Sequence, residues 1–199
     1  MRRSAVLVVA MAMLAASTLA AQTAPADGVE IAVTYAGQRS IVTGPGNGFW
    51  LQGVAADASL PVYRGFSLAA NFTFGHSGDT GGAGSPLDVA TTVAGPRFTG
   101  KAAHGRKLRP ALFGEALFGV AHGFNSIFPE GSSTPSSASS FALMTGGGID
   151  LPVSRWVSLR LIQADYLRST LPNGGANVQN SLRIAAGVNL TMLGRNHRK

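Results

Sequence analysis

Strict alternation of apolar and polar residues constrains this chain more than any other feature. In Gln179–Thr191 the residues Leu182, Ile184, Ala186, Val188 and Leu190 fall on one face. Gln179, Ser181, Arg183, Ala185, Gly187, Asn189 and Thr191 fall on the other. Side chains of a β-strand leave on opposite faces with period two, so this stretch is a strand with one greasy and one smaller or more polar face. Eight stretches of the chain show such alternation, each about the length that crosses a bilayer as a tilted strand, roughly 9–11 residues. A closed barrel in lipid needs this arrangement, with apolar side chains outward and polar or small ones inward.

The start of the chain reads as an export signal. Arg2 and Arg3 are followed by the apolar run Ala5–Leu19 and by the small residues Ala20, Ala21 and Ala26. A basic start, an apolar middle and small residues at the cut are the order of a secretory signal. The run is short for a membrane-spanning helix, which needs roughly 20 residues. Cleavage is expected after Ala20 or Ala21. Residues 1–21 are thus assigned to the signal, 22–28 to a lead-in, 29–192 to the barrel and 193–199 to a basic periplasmic tail.

No second long apolar run follows, which argues against a helical membrane protein. About 180 residues remain, enough for one domain or one small barrel. The chain has no cysteine, so neither disulfides nor thiolate zinc sites contribute. The formal charge is +7, falling to +5 once Arg2 and Arg3 are removed. Its basic residues are scattered except around Lys101–Arg109 and at the C-terminus, and an exported chain rarely meets nucleic acid, so no nucleic-acid partner is expected. The 26 glycines lie partly inside apparent strands. In a soluble sheet each costs about 0.5–1 kcal/mol against alanine; in a tightly curved barrel they let the wall bend and leave room inside.

The expected strands are Val29–Tyr35, 49–60, Phe66–Phe74, Asp88–Phe98, Leu108–His122, Ser140–Leu151, Trp156–Arg168 and Gln179–Thr191. Gln52 breaks the alternation of the second. Pro61–Gly65 and Pro152–Arg155 read as tight turns, because proline pre-sets the backbone. Arg160 cannot share a face with Gln163 and Asp165 unless one residue is extra, so a bulge is expected near Leu161–Ile162. Connections after the first, third, fifth and seventh strands are rich in Gly, Ser, Asn and Pro and read as long. Those after the second, fourth and sixth read as shorter. Tyr35, Trp50, Tyr63, Phe66, Phe74, Phe98, Phe141, Trp156 and Tyr166 lie near expected membrane interfaces, where aromatic rings are favoured.

The hairpins LPVYRGFSLAANFTF and IDLPVSRWVSLRLIQADYLRS, the central RPALFGEALFGVAHG and the closing NSLRIAAGVNL carry a resemblance. The chain resembles the OmpA-type eight-stranded outer-membrane barrels, especially the short porin-family proteins of Gram-negative bacteria. The resemblance covers essentially all of 29–190. It implies an all-β, eight-stranded antiparallel up-and-down transmembrane barrel in the cell outer membrane, reached by Sec-type export. It also implies contact with membrane lipids, including outer-leaflet lipopolysaccharide, and with the outer-membrane assembly machinery, as a monomer. One departure is that a basic tail, rather than an aromatic residue, follows the last strand.

Inward-facing charges form the candidate site. Glu30, Asp57, Glu115, Asp150 and Asp165 are expected inside, with Arg160 and Arg183 as partners and Arg97 beside them. A charge left dry and alone costs several kcal/mol, so these residues should pair across a narrow lumen. The expected role is structural or surface-exposed, with a narrow path for solutes or ions as its functional extension. Two alternatives are an outer-leaflet lipid-modifying enzyme and a soluble lipocalin-like periplasmic binding barrel. His76 with Ser77, and His122 with Ser126, are the only residues that suit the enzyme; a nucleophilic serine also needs an acid to orient its base, and neither pair offers one locally. No catalytic residue is therefore assigned. Four dispersed histidines, His76, His104, His122 and His197, make no metal site, and no cofactor is expected.

Overall fold

The computed structural model describes residues 28–41, 48–80, 86–101, 110–126, 136–172 and 177–192. Eight antiparallel strands follow one another around a closed barrel: β1 (Val29–Ile41), β2 (Trp50–Tyr63), β3 (Phe66–Ser77), β4 (Leu87–Lys101), β5 (Ala111–Ser126), β6 (Ser136–Pro152), β7 (Val157–Ser169) and β8 (Gln179–Met192). Pairing of β1 with β8 closes the wall, with Val33 opposite Val188 and Tyr35 opposite Ala186. A closed wall has no sheet edge, so its backbone groups are satisfied without water.

The alternation sorts side chains as the sequence requires. Outside are Val33 (60% exposed), Phe118 (51%), Phe72 (45%), Leu182 and Ile184 (both 44%). Inside are Arg183 and Asn71, each 1% exposed. A soluble monomer rarely shows so continuous an apolar surface. The lipocalin-like alternative needs the greasy face inside, and the observed orientation is the reverse.

Several boundaries differ from expectation, with one physical cause at the loop end. There β1 continues through Ile41, β3 through Ser77 and β5 through Ser126, and β6 begins at Ser136. Above the apolar belt both faces of a hairpin are wet, so alternation fades while the backbone ladder continues. At the other end β2 runs through Pro61 to Tyr63 and shifts register between those residues, which accommodates a proline inside a strand. The turn is only Arg64 and Gly65, both at positive φ (38° and 88°), the backbone of a two-residue hairpin. Trp156 belongs to the turn before β7 rather than to the strand. The connection after β4 is not shorter than its neighbours: 102–110 separates β4 from β5, as 78–86 separates β3 from β4. The fifth strand begins at Ala111, and Leu108 lies outside the described residues, as do 1–27 and 193–199.

The bulge on β7 is where the charge pattern demands it. Ile149 pairs with Ile162 and Asp150 with Arg160, which leaves Leu161 extra. Leu161 and Ile162 both face out, at 50% and 44% exposure. Arg160 and Gln163 therefore both face in, and the Arg160 Nη1 donates to Gln163 Oε1 at 2.9 Å.

Candidate functional site

All seven side chains named as lumen charges point inward, and Arg97 joins them. Arg160 holds Asp150 in a fork, Nε to Oδ1 at 2.9 Å and Nη2 to Oδ2 at 3.1 Å. Its Nη1 also lies 3.3 Å from Asp57 Oδ2. That contact is an ion pair without hydrogen-bond geometry, since Asp57 Oδ2 accepts no hydrogen bond. Arg97 donates from Nη2 to Asp57 Oδ1 at 2.9 Å and from Nε to Glu115 Oε2 at 2.7 Å. Gln163 Nε2 donates to Glu115 Oε1 and to Asp165 Oδ2, each at 3.0 Å. Arg183 grips Asp165 Oδ2 from Nε at 2.9 Å and Nη2 at 2.7 Å, and reaches Asn71 and Thr73 through Nη1. Asn189 closes the chain, with Nδ2 3.3 Å from Asp150 Oδ2 and 3.4 Å from Glu30 Oε2. Glu30 is the outlying member, half-buried near the turn end and linked only through Asn189.

Every one of the eight strands supplies a member of this network. Five carboxylates face three guanidiniums, and all three guanidiniums are at most 2% exposed. Desolvation of that many charges is costly, and only direct pairing plus added hydrogen bonds offsets it. Arginine suits the task because its planar fork meets two acceptors at once. The Phe113 ring supplies a further surface: the Arg97 and Arg160 guanidiniums lie 4.7 and 4.6 Å from its centroid. Gly148 makes room for that ring, since a Cβ there would sit 2.8 Å from Phe113 Cε1.

Sequence reasoning missed Asn71, Thr73, Asn189 and Phe113. Asn71 and Asn189 were visible as polar residues on inward faces, but their partners lie on distant strands. The contact of Phe113 with two arginines has no local signature in the sequence.

On β4 to β7 the loop side of the charged level is apolar. Val93, Leu117, Ala121, Ala142, Met144 and Leu167 pack there with Ala69 and Leu171. Leu51, Leu87 and Val89 form a second buried cluster beside Phe49 and Ala138. Together, ion pairs and apolar side chains fill the bore, as eight strands permit.

His76 and His122 lie on the outer wall at the loop end, and His104 and His197 lie outside the described residues. His76 Nδ1 is 2.6 Å from Asp88 Oδ1, and Asn125 also donates to Asp88. Burial pushes the Asp88 carboxyl up, but the hydrogen bonds from His76 and Asn125 outweigh it and hold the group below the usual carboxylate value. His122 Nδ1 meets Ser139 Oγ of β6 at 2.7 Å. Among the described residues no hydrogen bond joins His76 to Ser77 or His122 to Ser126. His76 thus has the acid that its local sequence lacked, but with no serine, and His122 has a serine with no acid. No group of three or more metal-ligating side chains occurs among the described residues.

These features define a class by fold: a closed eight-stranded up-and-down antiparallel barrel, apolar outside and charged inside. Among solved structures the chain is similar to Neisserial surface protein A, at 15% identity and TM-score 0.58, covering 83% of this chain and 97% of that one. Ail of Yersinia pestis (16% identity, TM-score 0.46, 82% and 99% covered) and the N-terminal barrel of Pseudomonas aeruginosa OprF (13%, 0.43, 82% and 97%) also match. No protein-family model matches the chain, and no curated protein is similar to it in sequence.

Proposed function

We propose that the chain is an outer-membrane barrel with a structural or surface-exposed role and a lumen closed to solutes in the state described. The observation that carries this reading is the network to which all eight strands contribute, set inside a wall whose outer face is apolar. Ion pairs bridge the lumen and, on β4 to β7, apolar side chains pack on their loop side. The working surface is then the loop end and the outer wall. Passage of small ions is the extension of this reading and requires the Arg160 and Arg183 pairs to rearrange.

Residues 1–21 act as a Sec-type signal, cleaved after Ala20 or Ala21, and the chain reaches the outer membrane through the barrel assembly machinery. Long loops then face outward, and the Arg64–Gly65 and 153–156 turns face the periplasm. It works as a monomer without catalysis: among the described residues the hydrogen bonds join His122 to Ser139 and His76 to Asp88, and none links all three parts of a triad.

The test has two readouts. Expressed with its signal, the protein should fractionate with outer membranes and migrate differently on gels when heated. Recovery in the soluble periplasm overturns the reading. In planar bilayers the wild type should give no discrete conductance steps, while Arg183→Ala should produce them by removing the grip on Asp165, Asn71 and Thr73. Steps of equal size in both proteins would mean that the lumen conducts as it stands.

A further inference from the structure

The loop-end rim of the outer wall is chemically two-sided, and on one side its arginines make no ion pair among the described residues. On β7, β8, β1 and β2 the outward residues next to the apolar belt are Tyr166, Arg168, Asn180, Arg39, Tyr35, Trp50 and Gln52. Arg168 pairs in register with Asn180, and Asn180 with Ile41, so Arg168 and Arg39 flank β8. Strand spacing and rise put their Cα atoms about 12 Å apart. Both are exposed, and neither makes an ion pair among the described residues. Arg39 is held in place by stacking on the Trp50 ring, 5.7 Å from its centroid. Beside them two amides are fixed by tyrosine hydroxyls: Tyr35 donates to Gln52 Oε1 at 2.8 Å and Tyr166 to Asn180 Oδ1 at 2.7 Å. Those bonds engage the amide oxygens and not the NH₂ donors.

Below this crescent lies continuous hydrocarbon-compatible wall: Leu182, Ile184, Val33 and Val54, each 44–60% exposed. On the opposite side, β3 to β6, the same height carries His76 bonded to Asp88, and His122 bonded to Ser139. That side already contains its own anion. The crescent therefore presents guanidiniums and fixed amides side by side in one band, with an apolar wall beneath them toward the membrane. A ligand with phosphate and hydroxyl or amide groups at one end and acyl chains at the other matches it.

We propose that the β7–β8–β1–β2 rim binds the phosphorylated headgroup of a membrane lipid, with Arg39 and Arg168 on phosphate oxygens, Asn180 and Gln52 on the polar linkage, and acyl chains along Leu182 and Val33. This inference rests on the outer-membrane reading and names the lipid contact within it. A free phosphate ion would use the arginines without the wall; the apolar wall directly beneath them commits the site to lipid.

The experiment uses the full barrel in phosphatidylcholine vesicles doped with diphosphorylated lipid A or with its fully dephosphorylated form. After detergent extraction, native mass spectrometry counts retained lipid. Wild type should retain the phosphorylated form and not the other, and excess inorganic phosphate should not displace it. Arg39→Gln/Arg168→Gln should lower retention roughly tenfold, about one charge-assisted hydrogen bond's worth. Arg64→Gln/Arg155→Gln, at the turn end, should leave it unchanged. Equal retention of both lipid forms by wild type overturns the inference without needing any variant. So does full retention by the Arg39/Arg168 variant, or displacement by inorganic phosphate. Failure of wild type to insert, read by the absence of a heat-dependent gel shift, instead overturns the membrane reading and this inference with it.

Discussion

On β4 to β7 the barrel holds two kinds of interior at two heights. Nearer the turns, Glu115, Asp150, Arg160, Gln163 and Asp165 are fixed by directional bonds at 2.9–3.1 Å. Nearer the loops, Leu117, Met144 and Leu167 fill space with no polar atoms to satisfy. The upper level tolerates adjustment, because a cavity can partly collapse and Met144 can change shape. The lower level does not, because removing one charge strands another where water cannot reach it. Two interiors of similar burial should thus fail in different ways.

The largest expected effect strikes the charged level. Arg160→Met leaves Asp150 without its fork and Asp57 with one cation fewer, and should cost about 3–5 kcal/mol in urea unfolding from lipid vesicles. Adding Asp150→Leu to that variant should recover part of the loss; no recovery would mean that the two residues do not act as a pair. On the apolar level Leu117→Ala should cost less, about 2–3 kcal/mol, toward the low end for a buried leucine. If it exceeds Arg160→Met, the ranking of the two levels is wrong.

Within the charged level, Gly148→Ala drives a methyl toward Phe113 and the Ile162 carbonyl and should cost about 1–3 kcal/mol. It should also move the near-ultraviolet signal of the barrel as the ring shifts under its two arginines. The smallest effect lies outside the lumen. Asp88 is held below the usual carboxylate value, so its contribution is complete above that value and is lost as pH falls through the lowered one. An acid titration of stability should therefore lose a low-pH step in Asp88→Asn. An unchanged titration would place that step on another carboxylate.

How much of this was legible depended on range. Arg160, Gln163 and Asp165 lie close enough in sequence for their shared face to require a bulge, and Leu161 is the extra residue. The inward set Glu30, Asp57, Glu115, Asp150 and Arg183 also followed from period two, because each has clear neighbours on both sides. Who bonds to whom did not follow. Arg183 reaches Asn71 across 112 positions, and only the closed register brings them together. Pro61 misled for a local reason: proline signals a turn, but a register shift accommodates it inside β2 and moves the turn to Arg64 and Gly65. His122 was matched to nearby Ser126 when its partner, Ser139, stands on the adjacent strand.

The reach of Arg183 also bears on how such a barrel comes into being. Its bonds to Asn71 and Thr73 of β3 exist only once the last hairpin has swung round to meet the first strand, whereas its grip on Asp165 lies within the β7–β8 hairpin. Until then the side of the guanidinium that faces β3 must stay hydrated and the cylinder must stand ajar. Contacts so distant along the chain form late, since the loop must close before they reward it. Expulsion of water from the bore and seam closure should therefore occur as a single final event, with no half-built cylinder accumulating on the way.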